Sequence, residues 1–192
     1  MNTLKLLIII FLPIIFLLTS CEDESNPIGT NSSMSKITGK IDNWTGGTGK
    51  TIRAVHGDPG TSNYPWCGFS PISEDGSFSI TMGTPPDSML DVLFSSPPPG
   101  VNVSDPTAKG GGKIEEFVIS PSGWAYRGSS TTYTFFSYCD KNVNVTGSSS
   151  GITYDLHFVK GWNKYAIPIS DTSSSIISST EPADTKWIYH IP

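Results

Sequence analysis

The chain has 192 residues, only 15% of them Asp, Glu, Lys or Arg, and a formal net charge of −5. An acidic balance disfavours nucleic acid and anionic lipid surfaces as partners, since both need basic patches. Nineteen glycines and fifteen prolines mark frequent turns and argue against long helices.

Lys5 supplies the charge of a short n-region, and Leu6 to Leu18 is an unbroken apolar run. Such a run suits a signal-peptide core and is too short to span a bilayer, and Pro13 within it opposes a stable membrane helix. Leu18-Thr19-Ser20-Cys21 follows: a branched apolar residue, two small residues, then cysteine. The stretch resembles a bacterial lipoprotein signal. The resemblance implies transfer of diacylglycerol to the Cys21 sulfur, removal of residues 1–20 and acylation of the new N-terminus. Several acyl chains hold a protein on a membrane without a transmembrane helix. The implied location is the cell envelope, on an outer membrane, facing the periplasm or the surface. Glu22-Asp23-Glu24 is similar to the acidic residues that mark surface export in some Gram-negative groups. Residues 21–35 then read as the lipidated cysteine and a polar tether, with an r.m.s. reach of roughly 20 Å. Residues 36–192 read as one domain, long enough for a real core.

Within that domain the pattern alternates at period two, the signature of half-buried strands. Lys36–Asp42 turns Ile37, Gly39 and Ile41 one way. Asn43–Gly49 is a turn-rich loop before a strand at Thr51–His56. A strand at Trp66–Ile72 places Cys67 and Phe69 on one face. Glu74-Asp75-Gly76 predicts a hairpin turn into Ser77–Met82, with Phe78, Ile80 and Met82 inward. Asp87 or Ser88 caps a predicted short helix near 87–94, whose Leu90, Leu93 and Phe94 make an apolar stripe. Val101–Gly112 reads as an irregular connection. Strands resume at Ile114–Ile119, Trp124–Arg127 and Thr131–Cys139. Val143–Val145 and Ile152–Val159 read as a hairpin around Gly147–Gly151, and Asn163–Ile169 and Lys186–Ile191 complete the set. The fold class is all-β, an Ig-like or prealbumin-like antiparallel β-sandwich with that one short helix.

Ile37-Thr-Gly-Lys-Ile41, Gly46-Gly47, Thr51-Ile-Arg-Ala-Val55 and Glu74-Asp-Gly-Ser-Phe-Ser-Ile80 resemble the prealbumin-like modules of transthyretin and carboxypeptidase-regulatory type. Thr84-Pro-Pro86, Val103-Ser-Asp-Pro106, Tyr154-Asp-Leu156, Lys160-Gly-Trp-Asn163 and Trp187-Ile-Tyr189 are similar to a group of uncharacterised bacterial lipoproteins. The resemblance implies a β-sandwich on an exported anchor and brings no activity with it.

No chemical motif holds up. Gly46-Gly-Thr-Gly-Lys-Thr51 looks like a phosphate loop, but Trp44 stands where its first glycine belongs and a strand follows where a helix is needed. Gly147-Ser-Ser-Ser-Gly151 matches the nucleophile-elbow letters but reads as a turn between strands. His56, His157 and His190 are scattered, without metal-ligand spacing. Glu115 and Glu116 are adjacent, so they point to opposite faces of a strand and cannot form an acid–base pair with each other. Cys67 and Cys139 are the thiols left after lipidation. In an oxidising compartment they pair, closing a loop of roughly 70 residues and contributing about 4 kcal/mol; the alternative is two buried free thiols.

Five tryptophans remain. Trp162 and Trp187 read as core or strand-end packing. Trp44, in a loop, and Trp124, after Pro121-Ser-Gly123, are the candidate ligand contacts. The expectation is a lipid-anchored envelope protein, not an enzyme, needing no cofactor and no metal. It serves as a structural or protein-contact module. The alternative is a binding module for carbohydrate or another small ligand through loop aromatics. Its partners are the membrane, through the N-terminal lipid, and an envelope protein or glycan.

Overall fold

The computed structural model describes residues 34–57, 64–169 and 175–191. The expected signal, Cys21 and most of the expected tether lie outside the described residues. The tether's expected end moves: Met34 donates its N–H to the Trp162 carbonyl at 3.0 Å, and Ser35 accepts from the Met82 N–H at 3.0 Å. Met34 also packs partly buried on the core, so it belongs to the domain.

The described residues form strands and no α-helix. In chain order these are β1 (Lys36–Lys40), β2 (Thr51–His56), β3 (Phe69–Pro71), β4 (Ser77–Thr81), β5 (Leu90–Val92), β6 (Val101–Val103) and β7 (Lys109–Ser120). There follow β8 (Trp124–Gly128), β9 (Thr132–Cys139), β10 (Val143–Ser149), β11 (Ile152–Phe158), β12 (Gly161–Pro168), β13 (Ser175–Ser178) and β14 (Lys186–His190). β1 and β4 make a two-stranded antiparallel sheet. The other twelve form one large sheet, ordered β3-β2-β7-β8-β9-β12-β13-β11-β10-β6, with β14 paired to β8 and β5 to β7. Its pairings are antiparallel except β11 with β13. The all-β class is therefore observed.

Two hydrophobic clusters hold the sheets. In the first, Ile37, Phe78 and Ile80 of the small sheet join Ile52, Ile114, Phe117, Ile119, Phe136, Trp162 and Trp187 of the large one. Trp187 meets Phe78 edge-on at 4.8 Å and Phe117 at 4.9 Å, so both family-like tryptophans are core, as expected. The second cluster gathers Ala108, Cys139, Val143, Val145, Leu156 and Phe158. Asn163 explains the Lys160-Gly-Trp-Asn element: its side-chain amide donates to the Val159 and Gly161 carbonyls at 2.7 and 2.8 Å and accepts from the Val159 N–H. A buried amide thus locks the turn that delivers Trp162 inward.

Several expectations change. The helix near 87–94 is only a 3₁₀ turn, Asp87–Met89, with no side-chain cap, and Leu90–Val92 is already strand. Leu90 is buried from β5, and Leu93 and Phe94 pack on the second cluster from the turn that follows it, so the helical spacing carries no weight. Gly110–Gly112, read as connection, lies inside β7. A side chain at Gly110 or Gly111 would collide with Leu93 or with the Met89 carbonyl; the glycines let β5 lie close on β7. The strand at Trp66–Ile72 shrinks to β3, so Cys67 is buried in a turn while Phe69 stands 64% exposed. The Asp75-Gly76 turn forms, but it carries the chain from the large sheet to the small one rather than closing a paired hairpin. The hairpin of β10 and β11 forms, but its ladder runs on through Gly147–Ser149, read as turn, to a two-residue turn at Ser150 and Gly151, both at positive φ.

Candidate functional site

The site begins with a fault in β7. Buried positions run Gly110, Gly112, Ile114 and then Phe117, Ile119. Opposite, Val55 pairs with Glu116 and His56 with Ile114, so Glu115 is an extra residue without its own partner on β2. A β-bulge of this kind shifts the alternation by one. Glu115 and Glu116 are both exposed, and both line one cavity. The regular-strand expectation that they face opposite ways is therefore wrong, and the bulge is the reason.

The walls come from the neighbouring strands. On β8, Ala125 is buried in the core, and Trp124 and Tyr126 turn outward. On β9, Tyr133 and Phe135 line the same face. With the two glutamates these four rings enclose a cavity of about 240 Å³. Trp124 stacks on His190 of β14 at 4.5 Å, and Tyr126 meets Tyr133 at 5.3 Å, so the walls are braced against one another. Phe135 stacks on Tyr165 at 5.7 Å. Burial, and then the charge of Glu115, push the Tyr165 hydroxyl up to about 12. Burial, reinforced by Tyr133, raises Tyr126 as well. Both phenols remain neutral hydroxyls at ordinary pH.

One cation belongs to the site. Lys113 Nζ lies 4.2 Å from the Phe135 ring centroid and 3.3 Å from Glu115 Oε2. An ammonium here gains from a ring face and a carboxylate together. Glu115 thus has a partner; Glu116 has neither an ion pair nor a side-chain hydrogen bond among the described residues.

Trp124 is where the sequence places a ligand contact. Trp44 lies elsewhere and is occupied. Its indole N–H donates to the Gly47 carbonyl at 3.2 Å, its ring packs on Tyr189 at 4.9 Å, and Gly46 and Gly76 pack on it. It borders a separate groove with Asp42, Asp75 and Lys186. The histidines stay apart. His56 packs with Tyr64 and Trp66, and its Nδ1 is 2.9 Å from the Lys113 carbonyl. His157 bonds Asn144 and Asp155, and His190 covers Trp124. Among the described residues no three His, Cys, Asp or Glu gather around a metal-sized space.

Cys67 and Cys139 are free and buried, so the expected bridge is not formed. They belong to different cores, Cys67 to the first cluster and Cys139 to the second. Burial raises Cys67 to about 11 and Cys139 in the same direction, which keeps both as unreactive thiols.

A second charged cluster escaped the sequence. Glu181 accepts from Arg127 Nε and Nη2 at 2.6 and 3.0 Å, from the Thr134 hydroxyl at 2.7 Å and from Lys164 Nζ at 2.8 Å. Burial alone would raise this carboxyl; the Arg127 bonds and charge, with Lys164, outweigh it and hold Glu181 at about 2. Its signal, one acid in a Ser-Thr-Glu-Pro loop, carries no periodicity.

The arrangement suits recognition. Glu115 and Glu116 share one lip of the cavity, whereas acid–base cleavage of a glycosidic bond needs carboxylates on two sides of it. Aromatic faces and carboxylates do suit stacking, hydrogen bonding and cation binding. No protein-family description, curated protein or solved structure matches this chain.

Proposed function

We propose that this chain is a lipid-anchored protein of the cell envelope, without catalytic activity, whose domain binds a small ligand in the cavity of Trp124, Tyr126, Tyr133 and Phe135. One observation carries the reading: a bulge puts two glutamates on the cavity that four aromatic side chains line. Aromatic-lined concavities with few polar groups are the usual form of small-molecule sites. The anchor rests on Leu18-Thr-Ser-Cys21, and an outer membrane is its proposed seat. The two packed sheets support a β-sandwich of prealbumin-like type, since the small sheet shares its core with the large one.

Titration of full-length protein with a panel of neutral sugars and small organic cations, read by tryptophan fluorescence, tests the site. At least one class produces a saturable change that Trp124→Ala abolishes. A change that persists in that variant, or none with any ligand, counts against the site. For the anchor, Cys21→Ala leaves an uncleaved or soluble species; normal maturation of that variant removes the proposal.

A further inference from the structure

Resting on the binding reading above, we infer that the ligand presents an alkylated or primary ammonium group rather than a neutral sugar face. The argument starts from what the site already does. Lys113 holds its ammonium over Phe135 and against Glu115. The chain thus shows, with its own side chain, that a cation at this wall meets a ring and a carboxylate at once. Glu115 and Lys113 offset each other. Glu116 does not share that neutralisation, and it opens on the same cavity. A negative charge unpaired among the described residues, beside Trp124, Tyr126 and Tyr133, is a seat for a single positive charge.

The rings favour the same choice. Aromatic faces attract cations through their quadrupole, Trp most strongly and Tyr after it. The phenols of Tyr126 and Tyr165 stay neutral (above), so they add no competing charge of their own. His190 lies flat on Trp124 at 4.5 Å with 11° between the planes. A covered face of Trp124 is lost to flat stacking on a sugar ring; a compact cation approaching from the glutamate side needs no such open platform. The chain's acidity works in the same direction, drawing cations toward it.

The test uses the full-length protein and three probes. These are choline, the neutral alcohol in which a tert-butyl group replaces trimethylammonium, and a neutral oligosaccharide. Choline binds at least fivefold more tightly than its neutral counterpart, and Glu116→Gln removes that difference while the circular dichroism of the sheet is unchanged. Equal binding of the two alcohols, or a Glu116→Gln variant with unaltered choline affinity, overturns the inference. Oligosaccharide binding without choline binding also overturns it and leaves the ligand site standing. Silence from all three probes, with Trp124→Ala indistinguishable from the parent, removes the site as well.

Discussion

β8 and β9 build two charged clusters, one on each face, and the two are opposites. Toward the core, Arg127 and Thr134 enclose Glu181, whose side chain is 8% exposed and has four donors from three residues. Toward the outside, Trp124, Tyr126, Tyr133 and Phe135 surround Glu115 and Glu116, and Glu116 has no donor at all among the described residues. On β8 and β9 strand parity assigns each residue to its face, while the bulge in β7 brings both Glu115 and Glu116 to the outer one. A carboxylate with every lone pair used is part of the framework, because nothing remains to offer a ligand. A carboxylate left open beside aromatic rings contributes little to folding and keeps its charge available for binding.

Substitutions should separate the two clusters. Glu181→Ala leaves Arg127 and Thr134 without their acceptor in a largely buried place, and we expect about 3 kcal/mol of destabilisation by urea unfolding. A loss under about 1 kcal/mol would show that the inner cluster is as dispensable as the outer one. Acid probes the same group. Glu181 is depressed from 4.5 to about 2, so its contribution is present above pH 4.5 and fades as pH falls from there toward 2. The full contribution is about 3 kcal/mol at neutral pH, and Glu181→Ala should flatten that part of the stability profile. Trp124→Ala removes a half-exposed ring and should cost about 1 kcal/mol while abolishing the ligand response. Smallest of all, Glu116→Gln should stay within about 0.5 kcal/mol of the parent, which would confirm that its charge serves no structural partner.

Those clusters also show what the sequence could convey. Period-two alternation located β1 and β4, which bury one face along a regular ladder, and it also located β2, β9 and the β10–β11 hairpin although their burial is less regular. Trp124 reads as a ligand contact from its place after Pro121-Ser-Gly123, and Trp187 as core or strand-end packing, neither of them from alternation. The same rule misplaced Glu115 and Glu116, since a bulge depends on the register against β2 and nothing in Ile114-Glu-Glu-Phe117 announces it. Leu90, Leu93 and Phe94 have the spacing of a helical stripe, but a short strand followed by a turn buries the same three residues, and the prolines at 85 and 86 did not decide between them. Glu181 acquires meaning only when a loop folds over Arg127 and Lys164, residues 54 and 17 positions away. Cys67 and Cys139 suggested a pair by arithmetic, while the chain divides its apolar residues between two cores and puts one thiol in each.

The clamp at the start of the domain has a mechanical consequence. Met34 hydrogen-bonds to Trp162 in the large sheet, and the next residue, Ser35, accepts from Met82 beside the small one. A pull on the chain ahead of Met34 therefore loads both sheets at adjacent residues, before the five registered pairs of β1 and β4 bear any of it. Tension entering there is divided between the two sheets, and the share that enters the large one passes through Trp162 of β12 to β9, the strand that carries Tyr133 and Phe135.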